Sequence, residues 1–155
     1  MPGSRPSADP GKPLLNRASG GAYAPGSTFK PVTALAALSL GFPETVEYEC
    51  TRAFEIGGMK LHCARRWGHG DLDLKHALMV SCNPFFCNLA FEVGTNALCR
   101  VARECGLGAK TGIDLGVDMG GVVPDGDWKM QMKNITKVIS FYMKLFTHEQ
   151  NILVV

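Results

Sequence analysis

Residues 27–41, STFKPVTALAALSLG, constrain the fold more than any other stretch of the chain. Val32, Ala34, Leu35, Ala36 and Leu38 nearly encircle a helix over about 28–40, so the pattern reads as a helix buried within a core rather than laid on its surface. Ser27 is a natural N-cap and Gly41 a natural stop. Pro31 falls in the first turn, where backbone N–H groups have no internal partner anyway. Lys30 lies one turn from Ser27 and shares its face. A serine hydroxyl is a weak nucleophile until a base takes its proton, and a lysine desolvated by an apolar helix has its pKa lowered toward that task. The helix N-terminus also favours negative charge developing beside Ser27. Two letters at this spacing arise often by chance, so the argument rests on what surrounds them.

The rest of the chain supports a single modest domain or part of a larger one. Its 155 residues are 46% hydrophobic, enough for a core, and the net charge of +2 gives no electrostatic reason to expect nucleic acid or anionic lipid. No stretch approaches the ~18 apolar residues that a membrane span needs. Residues 1–13 read as a flexible leader rich in Pro, Gly and Ser, without the apolar run of a secretory signal. Residues 14–26 read as an ordered loop ending in a Pro-Gly turn. AFEI-GG-MKLHC predicts a hairpin with Gly57 and Gly58 at its tip. A short helix is expected over Leu74–Val80, with Asp71 or Asp73 near its start. A second runs from Pro84 to Val93, stopped by Gly94, and a third is capped by Thr95 and ends at Gly106. Residues 106–128 read as glycine-rich and irregular, and 129–155 as a divergent tail, helical over about 133–147.

The wider string YAPGSTFKPVTALAAL closely resembles the first active-site motif of class B penicillin-binding proteins, particularly the penicillin-binding protein 2 type. Leu14, Leu15, Asn16, Arg17 and Ala18 resemble that family's lead-in. Ser81-Cys82-Asn83, followed by Pro84-Phe85-Phe86, matches its second motif, SxN. The run GLGAKTGIDL from Gly106, with Gly121 and Pro124 after it, resembles the segment that follows. The order and separations agree over residues 12–128. Serine, lysine and SxN motifs of this kind belong to serine β-lactamases and penicillin-binding proteins.

The resemblance implies an α+β fold, here a partial penicillin-binding protein or serine β-lactamase-like transpeptidase fold, mainly its helical lobe, with 14–128 as the partial transpeptidase domain. It implies Ser27 as the acylated nucleophile, Lys30 as general base, Ser81 as proton relay and Asn83 as a hydrogen-bond partner of the substrate backbone. The implied reaction is D,D-transpeptidation of peptidoglycan: attack on D-Ala-D-Ala stem peptides, with β-lactams acylating the same serine and no cofactor required. A β-lactam-sensing relative without turnover, or a non-catalytic remnant, is the alternative. The parent family is anchored in the inner or plasma membrane, works on its outer side and joins cell-wall synthesis complexes. Lys110-Thr111-Gly112 spells the family's third motif, KTG, but stands in the glycine-rich segment rather than on a strand far downstream. The third motif is therefore expected to be missing from the chain.

Six cysteines add a separate pattern. Cys50, Cys63, His69 and Cys82 are spaced C-x12-C-x5-H-x12-C, a donor set that suits a closed tetrahedral structural zinc, with His62 as a substitute ligand. Buried free thiols, or one disulfide, are the readings that compete with it. Cys87, Cys99 and Cys105 fall on helices as small buried residues, and His76 on a helix surface.

Overall fold

The computed structural model describes residues 14–123, apart from positions 22, 57 and 115. The expected leader over 1–13 and the tail over 129–155 lie outside these residues. Five helices and four short strands follow in order. They begin with a single turn, α1 (Arg17–Gly20), whose first amides are satisfied by the Asn16 side chain accepting from Ala18 N. A 3-10 turn, Gly26–Phe29, then leads directly into α2 (Lys30–Ser39).

Two ribbons come next, one nested inside the other. Strands β1 (Glu47–Cys50) and β4 (Gly70–Asp73) pair antiparallel, Glu47 opposite Asp73 and Cys50 opposite Gly70. Between them in sequence, β2 (Ala53–Ile56) and β3 (Met59–His62) form the expected hairpin, Ile56 opposite Met59. Helix α3 (Leu74–Met79) follows β4 without a loop, because Asp73 turns the chain and caps the helix, its carboxylate accepting from His76 N at 2.7 Å. Helices α4 (Asn83–Val93) and α5 (Thr95–Glu104) complete the order.

The core centres on α4, which contacts α2, α5 and strands β1, β2 and β3. Phe85, Phe86 and Leu89 of α4, Leu98 of α5, and Ala36 and Ala37 of α2 are fully buried. The alanines keep α2 slim, so the α4 aromatics can approach its backbone closely. Tyr48 on β1 meets Phe85 edge-on at 5.1 Å between centroids, and Phe85 meets Phe86 at 5.4 Å, so the ribbons and helices share one aromatic seam. Helices beside short strands make this an α+β fold weighted toward helix.

Several local expectations are corrected. Ser27 is not a helix cap: it lies inside the 3-10 turn, held by Thr28 bonding back to the Pro25 carbonyl, and α2 begins only at Lys30. Helix α2 is not buried all round, since Leu35 is 51% and Leu38 38% exposed. Thr95 is the first residue of α5 rather than its cap, a position taken by Gly94. Cys105, just past the end of α5, is exposed. Strands β1 and β4 and the turn α1 were not anticipated.

Candidate active site

Lys30 is the largest fully buried side chain among the described residues, 1% exposed at the N-terminal end of α2. Its ammonium reaches four oxygens. It donates to Asn83 Oδ1 at 2.7 Å, to Ser81 Oγ at 2.8 Å, to the Ser81 carbonyl at 2.6 Å and to Ser27 Oγ at 3.1 Å. The Phe86 ring lies 5.8 Å below it. All four residues named from the sequence therefore meet at one nitrogen, although Ser27 and Ser81 are far apart along the chain.

An ammonium has three protons to give, and here four acceptors surround it. Burial nevertheless holds Lys30 below the ordinary lysine pKa, with the nearby sulfurs of Cys82, Cys87 and Cys63 acting the other way. Once Lys30 loses a proton, its lone pair is placed to accept from the Ser27 hydroxyl. Ser27 is exposed while Lys30 is sealed, so the hydroxyl sits at the surface and the amine beneath it.

The second motif owes its shape to how α3 ends. Ser81 has φ 53, the left-handed conformation that usually falls to glycine. Ser81 N donates to the Leu78 carbonyl and Cys82 N to the Ala77 carbonyl, the paired bonds of a Schellman helix stop. This stop throws the Ser81 hydroxyl and carbonyl toward Lys30 and starts α4 at Asn83. The Asn83 amide is held from both ends, Oδ1 by Lys30 and Nδ2 donating to the His62 carbonyl at 3.3 Å.

Directly beneath, Cys50, Cys63, His69 and Cys82 offer four ligand atoms all within 4.8 Å of one another. His69 Nδ1 is 3.1 Å from Cys63 Sγ and 3.9 Å from Cys50 Sγ. Two backbone bonds clamp the nested ribbons here: His69 N donates to the Cys50 carbonyl, and Cys63 N to the Arg52 carbonyl. Gly68 makes the approach possible. With φ 77, it packs so tightly that a Cβ would stand 2.0 Å from the Cys50 carbonyl oxygen. Burial pushes the Cys63 and Cys82 thiols up, while the backbone N–H groups of Arg65 and Phe85 favour their thiolates. Burial also pushes Cys87 up, to about 12. His62, the substitute ligand, belongs to β3 and is not in this group. His76 is exposed and pairs with Asp73.

Lys110, Thr111 and Gly112 occupy an irregular loop, where Thr111 N and Gly112 N donate to the Asp118 carboxylate. The letters KTG here build a turn, not a strand. The His62 carbonyl is the participant that sequence reasoning missed, since a backbone oxygen leaves no mark in residue identity.

Comparison with known proteins identifies the family. The family model of the penicillin binding protein transpeptidase domain matches residues 2–147, a wider stretch than the motifs alone delimit. Peptidoglycan D,D-transpeptidase MrdA of Escherichia coli K12 is 36% identical over 130 residues, covering 79% of this chain and 20% of that protein. Its namesake from Acinetobacter baumannii is 34% identical over 146 residues, covering 88% and 22%. The chain thus spans about a fifth of the length of these relatives. Among solved structures, PBP2 from Helicobacter pylori superposes with TM-score 0.84 at 29% identity, over 96% of this chain and 28% of that one. Pseudomonas aeruginosa PBP2 in complex with WCK 5153 gives 0.82 at 26% identity, over 96% and 33%. The chain belongs to the penicillin-binding protein transpeptidase family.

Proposed function

We propose that this chain carries the acylation half of a peptidoglycan D,D-transpeptidase site. Lys30, as the neutral amine, takes the Ser27 proton as Oγ attacks the carbonyl of a terminal D-Ala-D-Ala peptide. The hydroxyl of Ser81 passes a proton to the departing D-alanine amine, and Asn83 hydrogen-bonds the peptide backbone. The backbone N–H of Ser27 supplies one donor to the oxyanion, from the 3-10 turn that leads into α2. An incoming amine from a neighbouring stem peptide then takes the acyl group, and β-lactams stop at the acyl stage. The observation that carries this reading is the single buried Nζ shared by Ser27, Ser81 and Asn83. The parent enzyme would act on the outer side of the plasma membrane, within a cell-wall synthesis complex. A Helicobacter pylori PBP2 solved in complex with MreC, 30% identical with TM-score 0.83, supports the latter.

Structural zinc fits the cluster below. Three sulfurs and one imidazole nitrogen within 4.8 Å suit a tetrahedral ion, whose positive charge would offset three buried thiolates. Cys50, Cys63, His69 and Cys82 would hold it, and its chemistry there is structural: it ties the two ribbons to the turn bearing Ser81 and Asn83. Elemental analysis of the purified chain reads this directly.

The deciding experiment is incubation with a fluorescent penicillin beside a Ser27→Ala control, read by intact mass. An adduct on the parent chain alone is the expected result. No adduct from a folded sample overturns the reading for this chain.

A further inference from the structure

The thiol cluster has a second chemistry that a purely structural ion site would not use. A disulfide requires two sulfurs that can close to about 2 Å with modest side-chain rotation. Here three sulfurs face one another: Cys63 faces both Cys50 and Cys82, and Cys82 also faces Cys50. Whichever sulfur is oxidised first therefore already has a resolving partner. Access is unequal. Cys50 and Cys82 are sealed at 1% and 0% exposure, whereas Cys63 is at 9% and adjoins the exposed loop Ala64–Trp67. The remaining cysteines lack this arrangement: Cys87 and Cys99 are buried on helices outside the cluster, and Cys105 is exposed.

We propose that Cys50, Cys63 and Cys82 form an oxidation site at which hydrogen peroxide makes a disulfide and releases the bound metal. This rests on the reading of the cluster as a metal site. Cys63 Sγ attacks one peroxide oxygen, the O–O bond breaks and hydroxide departs, leaving a sulfenic acid on Cys63. The thiolate of Cys50 or Cys82 then attacks that sulfur, the S–O bond breaks and a second hydroxide departs. Two thiolates lose two electrons in all and peroxide gains two. The donor set falls to one thiolate and one imidazole, too few to retain a structural ion. Because Cys82 stands between Ser81 and Asn83, a disulfide there also pulls on the turn that grips Lys30.

The test uses the full chain with Cys105→Ser, which removes the exposed thiol that could link two molecules. Zinc content is measured first. Peroxide is then added in the presence of a chromophoric zinc chelator, and the protein is alkylated, digested and mass-mapped. The expected result is one zinc released per disulfide, linking two of Cys50, Cys63 and Cys82, and restoration of binding by dithiol reductant plus zinc. A companion variant, Cys50→Asp with Cys63→Asp, keeps four donors but only one thiol, and is expected to load zinc and hold it against peroxide. Zinc retained by the parent, or lost with cysteine sulfinic acid and no disulfide, overturns the proposal while the metal reading stands. A parent that binds no zinc under reducing conditions overturns the metal reading and the release step together.

Discussion

Ser81 shows how a residue can be chosen against its own backbone preference. A non-glycine residue in the left-handed region costs roughly 1–2 kcal/mol, yet this serine sits at φ 53 and spends both oxygens on Lys30. Its conformational cost separates from its chemistry by substitution. Ser81→Gly is expected to be more stable than Ser81→Ala by about 1 kcal/mol, the reverse of helix propensity, as read by urea unfolding. Both should lose most penicillin acylation, because neither has a hydroxyl. Lys30 makes the companion prediction. Burial lowers its pKa, and the base in the proposed reaction is the neutral amine, so Ser27 acylation should rise with pH through that lowered pKa and level off above it. Lys30→Arg stays charged and should show neither the rise nor appreciable acylation. At this scale the sequence was legible in what it brings together: Ser27, Lys30, Ser81 and Asn83, named from their motifs, meet at one amine. What it could not show was the left-handed turn at a serine, because residue identity there argues for something else.

Among elements, the nested ribbons matter most to the site. They join Cys50 at the end of β1 to His69 before β4 and to Cys63 after β3, with Gly68 as the point of closest approach. A methyl group at Gly68 meets backbone rather than a movable side chain. Gly68→Ala should therefore cost at least about 2 kcal/mol and weaken zinc uptake. Calorimetry and metal titration on the same sample check both. The β2–β3 hairpin was readable because two glycines separate two runs rich in apolar residues. Strands β1 and β4 were not: EYEC and GDLD carry exposed acids and little β-branching, and only pairing across the intervening hairpin makes them strands. The metal spacing was visible as a pattern, but that its four donors converge was not.

For the molecule as a whole, exposure on α2 carries the message. A helix with apolar residues on every side reads as buried, whatever covers it, and here Leu35 and Leu38 face outward among the described residues. Leu78 and Met79 of α3 and Phe91 of α4 are exposed as well. Exposed apolar surface of this kind favours self-association. Leu35→Gln should change stability by less than about 0.5 kcal/mol, because the side chain is already half in water, while reducing association measured by light scattering.

The Ser81-Cys82-Asn83 triplet has a consequence for genetics. Neighbouring letters there answer to different masters, the outer two to Lys30 and the middle one to the cluster below. The carbonyl that steadies Asn83 comes from His62, itself next to Cys63. Substitutions at positions 50, 63 and 69 should therefore reproduce the defect of a crippled Asn83. Alleles far away in the reading frame would share one phenotype, and a drug-contact map would miss the distant ones.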